Sequence, residues 1–157
     1  MEAGRHLAQI NIGRLTYGPD DKRSAGFMRN LDMVNAVAEQ SPGFVWRLKD
    51  EAGDATAFRA YDDANIIVNM SVWSDVAAFE DFVWKSVHQR FYGKRGKWFD
   101  KMGEAQFAMW WIDAGKLPSL QDGVARLDHL RRNGPSEFAF GWEGLPRVQL
   151  WKSARCA

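Results

Sequence analysis

The chain has 157 residues, 46% of them hydrophobic and 26% charged, a composition that belongs to folded globular domains and excludes disordered, collagen-like and low-complexity chains. Lys and Arg total 21 against 20 Asp and Glu, a net charge of +1, so no overall field draws the chain to nucleic acid or to an anionic membrane. The only cysteine, Cys156, can close no internal disulfide, no apolar run approaches the roughly 18 residues of a membrane span, and the N-terminus lacks a signal-peptide layout, so a cytoplasmic protein with no membrane partner is expected.

At this length one core suffices, and residues 1–157 are read as a single domain, with a core over about 6–140 and a tail over about 141–157. His6 to Gly13 alternates, with Ala8, Ile10 and Ile12 on one face and Leu7, Gln9 and Asn11 on the other, the pattern of a strand with one polar side. After the break at Gly18-Pro-Asp-Asp, Phe27, Leu31, Val34, Val37 and Ala38 recur at helical spacing, and Pro42-Gly43 ends that helix. Phe44 to Lys49 and Thr56 to Arg59 read as the arms of a hairpin around Asp50 to Asp54.

Ile66 to Trp73 is the strongest strand, with Ile66, Val68, Met70 and Val72 on one face and Ile67, Asn69, Ser71 and Trp73 on the other. Ser74 is placed as a helix N-cap with Asp75 against the positive end of the dipole, and Val76, Phe79, Val83, Val87 and Phe91 continue as a long helix. Gln106 to Ile112 is a further strand, and Pro118-Ser119 opens a last helix whose stripe is Leu120, Val124, Leu127 and Leu130 and whose stop is Asn133-Gly134-Pro135.

This order is the α+β, ferredoxin-like split βαβ plan, an antiparallel sheet with two main helices on one face, plus a C-terminal helix. If the apolar strand faces pack on the two main helices, the other face shows Gln9, Asn11, Asn69, Ser71 and Trp73. Such a face is too apolar to leave wet and too polar for a simple core, so a cavity or a homodimer interface is expected there. The eight Trp suit large cores, interfaces and pockets for flat ligands alike.

The run from Trp73-Ser-Asp-Val through Trp84-Lys-Ser-Val-His88 resembles the strand-to-helix signature of the dimeric α/β-barrel superfamily, the antibiotic-biosynthesis-monooxygenase-like proteins. More closely, Leu7-Ala-Gln-Ile-Asn11, Ser41-Pro-Gly-Phe-Val-Trp46-Arg-Leu, Val68-Asn-Met-Ser-Val-Trp73, Ser86-x-His88 with Lys97-Trp98-Phe99, Trp110-Trp111 and His129-Leu-Arg-Arg-x-Gly-Pro135 resemble the domain-of-unknown-function family 3291. The resemblance implies a dimeric α/β barrel and a superfamily that holds cofactor-independent oxygenases, haem-degrading oxygenases and members without assigned activity. Asn11 is similar in place to a substrate-contacting Asn of the haem-degrading enzymes. Their iron-ligating His lies about one helical turn beyond the Ser-x-His position, where this chain has Tyr92.

The candidate catalytic residues are His88, as the group that moves a proton, and Asn11. Asn69, Trp73, Trp46, Trp84 and Arg95 are the candidate substrate-binding residues, with Gln9 and Ser71 as further polar groups of the same face. Each has a structural alternative: a hydrogen-bonded core His, amides paired across strands, Trp rings in the core or the dimer interface. His6 and His129 are assigned to the surface. The spacing of His, Cys and acidic residues supports no zinc site, and CxxC, HExxH, phosphate-loop and GxSxG motifs are missing. The leading expectation is an oxygenase-type enzyme acting on a flat hydrophobic small molecule without a cofactor. A haem protein with His88 or Tyr92 as axial ligand is the second, and a non-catalytic dimeric ligand-binding module the third.

Overall fold

The computed structural model of the protein describes residues 4–49, 65–87, 98–100 and 102–145. Strand β1 spans Arg5–Leu15 and helix α1 Ala25–Gln40; β2 covers Phe44–Arg47, β3 Ile66–Trp73 and helix α2 Val76–Phe82. Strand β4 is the short pair Phe99–Asp100, β5 is Phe107–Asp113 and helix α3 is Leu120–Asn133. β1 lies at the centre, antiparallel to β3 along one edge and to β5 and β4 along the other, while β2 pairs antiparallel with β3. The order β2-β3-β1-β5 with α1 and α2 as connections is the ferredoxin-like arrangement. The hairpin arm Thr56 to Arg59 lies outside the described residues, and Phe44–Arg47 pairs with β3.

The two faces of the sheet are covered the other way round from the expectation. Ala8, Ile10, Ile12, Val68, Met70, Val72, Ala108 and Trp110 form one buried cluster with Leu127 of α3, and Leu120, Val124 and Leu130 pack against it. The C-terminal helix therefore takes the most apolar face. Gly123 is what lets it come so close, since a Cβ there would stand 2.9 Å from the Met70 side chain and 3.0 Å from that of Ile10. Ser119 and Asp122 close a capping box at the start of α3, as its sequence favours.

Helices α1 and α2 cover the mixed face. Leu7, Trp73 and Met109 cluster with Ala38 of α1 and Phe79 of α2 at one end, and Leu15 and Ile67 cluster with Phe27, Leu31 and Trp98 at the other. The N-cap of α2 is Asp75, whose carboxylate accepts from the Ala78 backbone N–H at 2.8 Å, while Ser74 donates to Asp75. Gly43 packs against this corner at φ +82°, and a Cβ on it would sit 2.5 Å from that of Ala78. Beyond Phe82 the helix changes to a π-helical stretch, Val83–Val87, which breaks the 3.6-residue phase expected to continue to Phe91. Among the described residues no helix is long and apolar enough to cross a membrane.

The segment after α3 straps the outer edge of β5. Phe140 exchanges two backbone hydrogen bonds with Met109, at 2.7 and 3.0 Å. Arg126 of α3 donates to the Phe138 carbonyl at 3.0 Å and lays its guanidinium 3.8 Å above the Phe138 ring. Burial there pushes the Arg126 guanidinium below its ordinary value, against the pull of Asp122.

Candidate functional site

The register of the central strands assembles a row of polar side chains on the face under α1 and α2. Gln9 stands opposite Ser71 and Asn11 opposite Asn69, with Met109 and Phe107 facing them from β5. Strand pleating sends all of these to one face because they sit at even spacings along their strands. Gln9 is 3% exposed and its amide nitrogen donates to Asn69 Oδ1 at 2.9 Å and to Ser71 Oγ at 2.8 Å. Trp73 Nε1 donates to the same hydroxyl at 2.9 Å.

An indole N–H can only donate, so Ser71 Oγ accepts from Trp73, and the Gln9 NH₂ points to Ser71 Oγ and Asn69 Oδ1. Both N–H bonds of Gln9 are then used, and Asn69, with its oxygen engaged, has its NH₂ to offer. Asn11 is exposed and makes no side-chain hydrogen bond among the described residues. The row thus ends at a wet edge, where Asn69 supplies donors and Asn11 supplies both donor and acceptor.

An aromatic wall rises beside it. Phe107, the β5 neighbour of Asn11, stacks on Trp142 at 5.5 Å and 22°. Phe79 of α2 lies nearly parallel to both, 5.4 Å from Trp142 and 6.3 Å from Phe107. Phe107 and Trp142 are half-buried, so the trio contributes ring surface at the border of the row.

The structure brings together Asn11, Asn69 and Trp73, but in different roles. Trp73 is fully buried, stacked on Phe82 at 4.9 Å and met edge-on by Phe44 at 5.5 Å, and it reaches the row only through Ser71. Trp46 stands opposite Val72 and packs with the cluster under α3, on the other face of the sheet from Asn11. Trp84 is half-buried in the π-helical stretch, next to Val83, which packs against the cluster around Trp73. His88, Tyr92 and Arg95 lie outside the described residues. His6 and His129, assigned to the surface, are half-buried, each with Nδ1 enclosed and without a partner.

Trp142 and Phe107 were not among the expected site residues. The stretch around Trp142 has no period to read, and its place is set by the pairing of Phe140 with β5, a contact between segments about thirty residues apart. A separate groove of about 490 Å³ opens beside Phe82, lined by Gly43, Ser74, Asp75, Asp81 and Lys85 among others, and no residue of the polar row lines it. Among the described residues no three His, Cys, Asp or Glu are grouped to hold a metal ion.

Comparison with known proteins places the chain as follows. It is 28% identical over 130 residues to a catalase-peroxidase of Saccharopolyspora erythraea, a match that takes in 74% of this chain and spans only 18% of that protein's length. Among solved structures, SnoaB, a cofactor-independent oxygenase from Streptomyces nogalater, aligns with 71% of this chain and 95% of its own at 18% identity and a TM-score of 0.46. PA3566 from Pseudomonas aeruginosa aligns with 75% of this chain and 100% of its own at 14% identity and a TM-score of 0.47. The profile of the domain of unknown function DUF3291 matches residues 6–156, nearly the whole chain, and the protein belongs to the DUF3291 family.

Proposed function

We propose that the polar row is the floor of a site where a flat, phenol-bearing small molecule is oxygenated without a cofactor. The observation that carries this reading is the pair Asn11 and Asn69, side by side on the two central strands, with free amide donors next to a wall of near-parallel rings. Amide donors held by a strand cost no reorganisation when negative charge develops on a substrate oxygen.

The chemistry that fits is oxidation of an acidic ring methylene. Loss of one proton gives a carbanion delocalised onto the ring carbonyl oxygen, where Asn11 and Asn69 donate. Dioxygen accepts the carbon's electron pair to form a C–O–O bond, and loss of water leaves C=O, so that CH₂ and O₂ become C=O and H₂O. The row itself holds amides and no titratable base, and the proton transfer is proposed for His88.

Oxygen uptake with 1,8-dihydroxyanthrone as substrate tests the proposal. We expect one O₂ consumed per substrate, with His88→Ala lowering kcat at least a hundredfold while the fold is retained. Tight binding with no oxygen uptake would instead identify a module that only sequesters its ligand. A second reading, a haem protein, is favoured by the similarity to a catalase-peroxidase. The amides of the row hydrogen-bond and do not ligate iron, so His88 or Tyr92 would hold the iron. A Soret band in the protein as purified would support it.

A further inference from the structure

We infer that Asn35 of α1 is the roof of this site, a second amide contact that reads the edge of the ligand turned away from the sheet. The inference rests on the row being a ligand site. Asn35 is 6% exposed, on the sheet-facing stripe of α1. It follows Leu31 by four residues and precedes Ala38 by three, so the three side chains lie along one line of the helix. Leu31 packs with Leu15 and Ile67, and Ala38 packs with Leu7 and Trp73. Between those two ends the strands present Gln9, Asn11, Asn69 and Ser71. Asn35 therefore faces the polar row from above.

Its amide makes no hydrogen bond among the described residues, whereas polar side chains at the helix C-termini find a backbone carbonyl one turn back, as Ser41 does at Val37 and Asn133 at His129. Nor is the amide sealed off, since it is not one of the enclosed groups left without a partner. Asn costs helix stability relative to Leu or Ala, so packing alone gives no reason for Asn at this position.

With amides below and above, the ligand is a planar molecule with hydrogen-bonding oxygens on two opposite edges and its rings toward the aromatic wall. Hydroxyl and carbonyl groups suit amides better than a full charge does. The buried cation of this layer among the described residues, Arg47, is engaged by Glu39 at 3.3 Å.

The test uses 1,8-dihydroxyanthraquinone, which carries oxygens on both edges and is already oxidised, as a probe of binding by titration calorimetry. Asn35→Leu is expected to keep or raise the Tm and to weaken binding about tenfold, the usual effect of leaving ligand polar groups unpaired. It should also reduce the preference for this probe over anthrone, which lacks the hydroxyls. A lowered Tm with unchanged affinity, while Asn11→Leu still weakens binding, would overturn the role of Asn35 and leave the row as the site. Failure of the unaltered protein to bind, or unchanged affinity in both variants, would overturn the site itself and Asn35 with it.

Discussion

Ser71 is the residue that ties the core to the candidate site. Its hydroxyl accepts from Trp73 Nε1 inside the aromatic cluster and from Gln9 inside the row, so one oxygen fixes both the indole and the amide whose orientation presents the Asn69 donors. Ser71→Ala leaves two buried N–H donors without that acceptor, at a cost of about 1–3 kcal/mol for each group stranded. We expect a loss of about 2–4 kcal/mol in urea unfolding, with a red-shift of Trp73 emission as the ring loosens; a loss below about 0.5 kcal/mol would mean that the donors find other partners. At this scale the sequence put Gln9, Asn11, Asn69 and Ser71 on one face, because polar residues recur at every second position of apolar strands, and it left open whether they pair across strands or meet a ligand. It was silent about Trp142, whose ring is brought in by a long-range pairing. Asn35 did leave a signal, an amide in the stripe of Leu31, Val34 and Ala38, which a reading based on apolar spacing passes over.

Among the elements, α3 takes the face of the sheet expected for α1 and α2. Its stripe of Leu120, Val124, Leu127 and Leu130 was legible, as were its start at Ser119 and its end at Gly134. The face it covers was not, because strand alternation defines two faces without saying which helix meets which. The ferredoxin-like connections put α1 and α2 together on one side, and the handedness of those crossovers, together with α3 taking the apolar side, decides the rest. Leu127 is 0% exposed at the centre of the contact with Ile10, Met70 and Trp110. Leu127→Ala should therefore destabilise the fold by about 2–5 kcal/mol, the range for a fully buried Leu in a core that cannot collapse around the cavity. Ligand affinity at the polar row, on the opposite face of the sheet, should be unaffected in the folded fraction. A loss under 1 kcal/mol in chemical denaturation would show that α3 is only loosely docked.

For the whole molecule, the position of α3 bears on assembly. The expectation of a homodimer came from a sheet face that one layer of helices could not cover. In the structure both faces carry helices: α1 and α2 pack at the two ends of the polar row, and α3 lies over Ala8, Ile10, Met70 and Val72, which are fully buried within the single chain. We keep a homodimer as a proposal, but copies joining sheet to sheet would have to displace α3 or trap it between them. Folding should then not depend on a second copy. The linkage is simple: where association is part of the folded state, the unfolding midpoint rises with protein concentration by mass action, and where it is not, the midpoint stays fixed. We expect the thermal midpoint of this chain to stay constant within error over a hundredfold range of concentration, even if light scattering reports twice the mass of one chain at the upper end. A midpoint that climbs steadily with concentration would show that the interface completes the fold, and that α3 does not serve the apolar face alone.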